Sequence, residues 1–384
     1  MTAPREPSRN FFDEYTRGFD RTEFQRLFTR DTADAYHYFS RGLDLRALAQ
    51  APWYKRWPTH IRLFFVAFAM RLSPGRRVLY AFAVVAAVFG LLDLFDGFGT
   101  VTVFLFPISL DLYLPQWVEG TSWMVLAFLA IQLLVLMEVA DRLSLKSDLE
   151  IARDIQIAML PRGSKEAGDA RVFGFTRPAN TVGGDFYDIL PLADGRLMVA
   201  VGDVAGKGSP AALLMALLLA MLRTLVDEGL ESVRLISRLN VQICRHSPGS
   251  RFITFFFGVY NPADGSLEYV NAGHLPPMVK RASGTIERLE RGGMALGMFE
   301  HATYDAGHVT IGPGEMLVLY TDGITEAEDR SGQAFEDSGL EAVLARSTVQ
   351  NDPEALAGAI IAAVEAHAGD VRLADDLTVA ILGR

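Results

Sequence analysis

The sequence predicts an α/β domain built as an antiparallel β-sandwich flanked by helices, preceded by an α-helical membrane region. Three observations carry this reading. Apolar residues crowd the stretch from Val78 to Ala140, which contains no Lys or Arg. From Arg171 onward the texture changes to short apolar runs punctuated by Asp-Gly turns: RLMVAVGDV, FITFFFGVY, LEYVNAGHLPPMVK, EMLVLYTDG and DLTVAILG. Two connections, ADGR and NPADGS, have hairpin length, so their flanking strands are antiparallel, and the helical segments do not alternate strictly with strands as they do in a doubly wound sheet.

A chain of 384 residues exceeds one typical domain. Four segments are expected: a cytoplasmic or interfacial helical region at 1–76, a transmembrane region at 77–140, a helical linker at 141–161 and a catalytic domain at 162–384. Residues 1–52 look helical and aromatic-rich and suggest no function. The net charge of −10 argues against a nucleic-acid partner, because phosphate neutralisation needs a positive surface. The single cysteine, Cys244, excludes an intrachain disulfide and a Cys-rich zinc site, and is read as a buried structural thiol. The N-terminal stretch has no apolar core after its basic residues, so no cleavable signal peptide is expected.

Half of the residues are hydrophobic, and the excess lies in two runs, VLYAFAVVAAVFGLL and WMVLAFLAIQLLVLM. With their flanks, each approaches the ~20 residues that cross a bilayer. Arg71, Arg76 and Arg77 precede the apolar region, and Arg142 and Lys146 follow it. The positive-inside rule then places both flanks in the cytoplasm and requires an even number of crossings. Two spans in a bacterial inner membrane are expected, with the segment between them re-entrant or at the outer interface. The preceding WYKRWPTHIRLFFVAFAMRL is either an interfacial helix or a solvated amphipathic one.

ADRLSLKSDLEIARDIQIAMLP continues the second run with no Gly and no internal Pro. Leu145, Leu149, Ala152, Ile155 and Met159 recur at spacings of three and four, which is one face of a helix. That stripe pairs either with a second copy, giving a homodimer through 141–161, or with the chain's own catalytic domain. Further on, Ser209 is read as an N-cap and Pro210 as the first residue of a core helix that ends its apolar run at Arg223. ESVRLISRLNVQICRH and PEALAGAIIAAVEAHAG are the other two expected helices.

A turn near Asp194 places Asp185 of GGDFYD opposite Asp203 of VGDVAGKG at the open end of one hairpin. Facing carboxylates repel, and the arrangement is tolerable when a cation lies between them. Asp322 in LYTDG and the pair Asp375-Asp376 in ADDLTV are also at strand ends. Taken singly, an Asp-Gly is most often only a turn. Several carboxylates at strand ends with few basic neighbours suit hard divalent ions, and the glycines around them allow close backbone approach.

The ordered series GGDFYD, GDVAGKG, NAGHLPP, LYTDGITEA and DDLTV resembles the SpoIIE/RsbU branch of the PPM-type metal-dependent protein serine/threonine phosphatases, over about residues 145–384. The resemblance implies a two-layer β-sandwich with a centre for two divalent cations, Mn²⁺ or Mg²⁺. Asp185 and Asp203 match ligands of the first ion, with the Val204 carbonyl contributing. Asp203 also matches the bridge, and Asp322 and Asp375 match ligands of the second ion. Gly184, Gly323 and Asp376 fall behind these ligands. The expected chemistry is attack by a water acidified by the ions. The expected substrate is a phosphorylated regulatory protein, an anti-sigma-factor antagonist of the STAS type. Two departures stand out. Val204-Ala205 replaces the His that often follows the bridging Asp-Gly, and Asn180 stands where a phosphate-binding Arg is usual, with Arg177 three residues earlier. Asn180 and Arg177 are therefore the expected substrate-binding residues.

The letters GGDF also approach the turn signature of diguanylate cyclases. That turn sits at a hairpin tip and continues with Glu-Phe, whereas here Gly183-Gly184 opens a strand and Asp-Phe-Tyr-Asp follows. An inactive metal-binding scaffold is the other alternative, opposed by retention of all four matching aspartates.

Overall fold

The structure, a computed structural model, describes residues 69–70, 72–95, 98–105, 108–115, 117–161, 163–230, 232–247, 251–347, 349 and 351–384. The readings for residues 1–52 and most of 53–72 lie outside the described residues. The chain divides into two compact units, Met1–Leu143 and Ser144–Arg384.

In the first unit, α1 (Pro74–Phe95) and α2 (Trp117–Met159) flank a two-stranded hairpin. The helices approach closely at small residues. A Cβ on Gly90 would meet Met124 Cγ at 2.8 Å and the Gly120 carbonyl at 3.0 Å, and Ala83, Ala86, Ala127 and Ala130 are buried, a small-residue interface of the kind that packs membrane helices. Large side chains point the other way: Phe89, Leu92, Phe128, Leu129 and Leu136 are all more than half exposed. Arg76 bridges Glu138 (3.2 Å) and Asp141 (2.7 Å), so the two ends of the apolar stretch meet. The segment between the helices is not helical, which corrects the expectation of a wholly α-helical region here. It forms β1 (Phe98–Leu105) and β2 (Ile108–Pro115), antiparallel from Phe98↔Pro115 to Leu105↔Ile108. Thr and Val in TVTV and alternate apolar residues in ISLDLYL favour strands over helix.

The second unit has four layers. One sheet has the order β10 (Ile286–Arg288), β9 (Met278–Lys280), β13 (Met316–Tyr320), β14 (Leu377–Gly383), β4 (Ala170–Arg177), β3 (Lys165–Ala167). The other runs β11 (Gly292–Gly293), β8 (Ser266–Ala272), β7 (Ile253–Asn261), β6 (Leu197–Val204), β5 (Phe186–Pro191), with β12 (Gly307–Thr310) also on β8. Pairing is antiparallel except between β11 and β8. The run LMVAV is continuously apolar because both of its faces are covered. Leu197, Val199 and Val201 meet Leu317, Leu319 and Leu382 between the sheets. Met198 and Ala200 face α3 (Ser209–Asp227) and α4 (Ser232–His246). On the outer side of the first sheet, Val318 and Ile381 pack with Leu340 of α6 (Glu336–Arg346) and Leu356 and Ile360 of α7 (Pro353–Ala368); a single turn, α5 (Asp322–Thr325), follows β13.

Among the described residues, α1, α2 and α3 are long and apolar enough to cross a membrane. Helix α3 buries Ala211, Leu214, Met215, Leu218, Leu219, Leu222 and Leu225, which makes it a core helix. Its N-cap is Gly208, with φ +77°, and Ser209 is already helical. Cys244 is half-buried, its thiol 3.8 Å from Asn240 Oδ1. In the tail of α2 the buried positions are Gln156 and Leu160, while Leu145 and Ile155 stand exposed; the stripe read from the sequence is therefore split between two faces.

Candidate metal centre

The β5–β6 hairpin pairs Phe186 with Gly202. One further step of that register sets Asp185, just ahead of β5, against Asp203 near the end of β6. Asp322 opens α5 immediately after β13, and Asp375 and Asp376 lie just before β14, the antiparallel neighbour of β13. The β5–β6 hairpin and the β13–β14 pair belong to opposite sheets, and they bring all five carboxylates to one end of the sandwich.

Asp185 is 3% exposed. Its carboxylate accepts a 2.6 Å hydrogen bond from the Thr321 hydroxyl, which links the two sheets. Thr321 Oγ1 in turn accepts from the Thr378 amide at 3.2 Å. Burial holds the Asp185 carboxyl well above the usual carboxylate range, and the Asp203 charge adds to the rise. Asp203 is pushed up to about 6, first by burial and then by Asp322. Burial and then Asp375 raise Asp322 as well. Such mutual elevation means that the carboxylates share one field with too little positive charge to balance it.

The single nearby cation with a direct bond to the cluster among the described residues is Lys207, at 2.8 Å from Asp375 Oδ2. Asp376 performs a different task. Its oxygens accept from the Ala179 amide at 2.8 Å and the Gly184 amide at 2.7 Å, clamping the loop that carries Asp185. The glycines of the motifs are explained by contact. A Cβ on Gly184 would stand 2.9 Å from the Val204 carbonyl and 3.2 Å from Asp203 Oδ1. A Cβ on Gly183 would strike the Asp376 carboxylate, and one on Gly323 would strike the Asp376 carbonyl.

These donors suit hard divalent cations: carboxylate and carbonyl oxygens with little competing positive charge, approached closely by the Gly184 backbone. No three His, Cys, Asp or Glu side chains among the described residues converge into a closed cage. An ion held here would need to keep several of its waters and take only a few carboxylates at once, as Mg²⁺-like ions do.

Arg177 and Asn180 are not turned to the aspartates. Arg177 is paired with Glu365 at 2.6 Å, and Asn180 Oδ1 accepts from Arg372 at 3.4 Å. Arg177 does line the same cleft as Asp185, a space of about 390 Å³ that also includes Arg153, Gln156 and Tyr187.

Several residues escaped sequence reasoning. Gln156, buried in the tail of α2, donates to the Gly183 carbonyl (2.8 Å) and accepts from the Gly183 amide (3.2 Å). Arg223 of α3 grips the fully buried Asp188 with two nitrogens (2.8 and 3.1 Å) and donates to the Met159 carbonyl at the end of α2 (2.6 Å). Tyr187 donates to the Pro161 carbonyl at 2.9 Å. The end of α2 is thus tied to both sides of the Asp185 loop. The polar letters inside an apolar pattern, Gln156 and Arg223, were the available signal.

The model of the family described as Stage II sporulation protein E (SpoIIE) matches residues 193–384, half of the chain. The chain belongs to the SpoIIE family. This agrees with the motif series and with the SpoIIE/RsbU branch of the PPM-type phosphatases. Protein IcfG of Synechocystis sp. is 32% identical over 232 residues, covering 53% of this chain and 36% of the relative. Phosphoserine phosphatase RsbU of Bacillus subtilis is 27% identical over 241 residues, covering 62% of this chain and 71% of the relative. The chain thus spans about a third of one relative and about seven-tenths of the other. Among solved structures, the SiaA-PP2C domain of Pseudomonas aeruginosa superposes with a TM-score of 0.56 at 22% identity, covering 64% of this chain and 99% of that domain. The fold is PP2C-like.

Proposed function

We propose that the chain is a metal-dependent protein serine/threonine phosphatase, anchored in a bacterial inner membrane with its catalytic unit in the cytoplasm. The observation that carries the reading is the group of carboxylates gathered at one end of the sandwich, three of them raised by burial and by one another, with the Gly184 backbone packed close against Asp203 and the Val204 carbonyl. Asp185, Asp203 and the Val204 carbonyl would hold one divalent cation, Asp203 would bridge, and Asp322 and Asp375 would hold a second, Mn²⁺ or Mg²⁺. Such ions supply Lewis-acid charge for a phosphoryl group and for the attacking water.

The side chains here set the terms of that chemistry. Left alone, the aspartates repel a phosphate dianion, so substrate enters only with compensating cations. Thr321 fixes the orientation of Asp185, and Asp376 fixes the loop behind it. Among the described residues, neither Cys244, on α4 with its thiol raised by burial, nor His274, enclosed behind Thr254, is placed to compete with water. The SpoIIE membership and the relative named phosphoserine phosphatase RsbU support a phosphoserine or phosphothreonine substrate on a regulatory protein, of the STAS anti-sigma-factor-antagonist type. The exposed apolar surfaces of α1 and α2 support two membrane spans. Exposed Leu145, Ile151 and Ile155 support pairing with a second copy through 141–161.

The test is phosphate release from a phosphoserine protein by the purified full-length chain with Mn²⁺. Activity is expected with Mn²⁺, and loss of it in EDTA and in Asp203→Ala. The loss in Asp203→Ala should exceed the ~100-fold that removal of an outer partner costs. Undiminished activity in either arm overturns the reading.

A further inference from the structure

The NAGH stretch ends in a histidine that the chemistry above does not use. Asn271 of β8 folds back on it, accepting from the His274 amide at 2.7 Å and donating to the His274 carbonyl at 3.0 Å. Gly273 between them has φ +70°, and a Cβ there would stand 2.6 Å from the Ala295 amide nitrogen. Each letter of the motif thus serves to turn the chain sharply and drive the imidazole inward.

The ring reaches 6% residual exposure, and its Nδ1 is 3.0 Å from the Thr254 hydroxyl. Thr254 is the cross-strand partner of Asp203, and the same hydroxyl lies 3.5 Å from the Asp203 carbonyl. On its other side the ring is beside the Tyr320 carbonyl, two residues ahead of Asp322. No partner stands within hydrogen-bonding distance of Nε2, so the Thr254 contact is the bond formed here. Burial holds the imidazole neutral, down to about 4. A buried ring nitrogen with no partner is costly and calls for a reason.

We infer that His274 is a positioning residue that spans the two sheets, holding the Asp203 strand end against the Tyr320–Asp322 corner. Its place is between the two halves of the carboxylate group, one half carried by each sheet. With Nδ1 bound to Thr254 of one sheet, the ring has the Tyr320 backbone of the other as its neighbour. The role rests on the metal-centre reading above but does not require that the centre hydrolyse phosphate.

The test uses the full-length chain in detergent and two readouts: Mn²⁺ affinity by electron paramagnetic resonance, and turnover on a phosphoserine protein. His274→Ala should weaken Mn²⁺ binding and lower kcat, each by about 10- to 100-fold as for other residues behind metal ligands, with KM within about twofold. Thr254→Val, nearly isosteric, should reproduce much of the loss, and the double variant should be no worse than His274→Ala. His274→Asn, whose side-chain amide can donate to or accept from the Thr254 hydroxyl, should recover most of the Mn²⁺ affinity. Should His274→Ala not fold, Thr254→Val and His274→Asn carry the comparison. Wild-type Mn²⁺ affinity in Thr254→Val and His274→Ala, or losses that multiply in the double variant, overturn the inference. A wild-type chain that binds Mn²⁺ but releases no phosphate overturns the phosphatase reading alone and leaves this test intact.

Discussion

Asp185 and Asp188 are three residues apart, both buried to 3% exposure or less, and their surroundings are opposite. Asp188 is met by the Arg223 guanidinium at 2.8 and 3.1 Å, a charge balanced within the fold. Asp185 is met by neutral hydroxyls, Thr321 the nearest, and faces other carboxylates. A protein that can bury a carboxylate with its counter-ion, and does so a few residues away, has left Asp185 without one. A buried charge with no partner destabilises the fold, while a paired one holds together only as long as both members stay. On the proposed reading, the contrast makes Asp188 architecture and Asp185 a place for an external cation.

Substitution should separate the two by sign. Arg223→Met strands the Asp188 carboxylate and should destabilise the protein by about 3–5 kcal/mol, read as a lowered midpoint in urea with Mn²⁺ present. Asp185→Asn removes an unbalanced charge. It should raise the unfolding midpoint of the metal-free protein and at the same time abolish its stabilisation by Mn²⁺. If both substitutions destabilise the metal-free protein to the same degree, the contrast is lost and Asp185 is as structural as Asp188.

The Asp185–Asp203 pairing is legible in the sequence because a short turn near Asp194 leaves little freedom of register, and the observed pairs follow it. The sandwich is legible for the same reason: short apolar runs broken by tight Asp-Gly turns are a local property. What supports the site is not. Thr321, His274 and Gln156 act on residues more than a hundred, some twenty and nearly thirty positions away, and nothing local announces such contacts. The β1–β2 hairpin is hidden because apolar runs beside Pro107 read equally as membrane segments. Helix α6 escapes because it is eleven residues long and opens at Glu336, a non-glycine residue with φ +60°.

Proton uptake sharpens the comparison with a smaller effect. Asp203 has a folded value of about 6 against an ordinary 3.8, and Asp185 and Asp322 are also raised. Between those limits the folded chain holds more protons than the unfolded one, so this contribution to stability is present at low pH and lost as pH rises. The metal-free protein should therefore lose thermal stability from about pH 4.5 to pH 7 relative to Asp203→Asn. Mn²⁺ should restore it at pH 7 and do little at pH 5, where protons occupy the same oxygens. Thermal unfolding in EDTA and in Mn²⁺ across that range measures both. A Mn²⁺ effect that does not grow with pH would show that these carboxyls are not its site.

The smallest expected effect asks whether the same helix end serves both aspartates. Arg223 joins Asp188 to the Met159 carbonyl, and Gln156 holds both backbone groups of Gly183, two residues before Asp185. Helix α2 runs from Trp117 to Met159 without a break. A continuous helix passes on a rotation or an axial shift, whereas a flexible segment absorbs it. A change arriving along α2 would therefore reach the Asp185 loop through Gln156, while the Asp188–Arg223 pair keeps the fold in place. Insertion of Gly-Gly-Gly after Lys146 leaves both contacts intact and interrupts only the helix. In membranes it should change turnover several-fold in either direction, within the range of typical coupling energies. Its unfolding midpoint should stay unchanged. Leu149→Glu, on the half-buried face of the same segment, should shift turnover in membranes and alter cross-linking between copies. Gln156→Leu should lower turnover in detergent and membranes alike, because it acts at the loop itself. If the insertion and Leu149→Glu leave turnover and cross-linking untouched while Gln156→Leu does not, α2 is a passive tether and only its last turn belongs to the site.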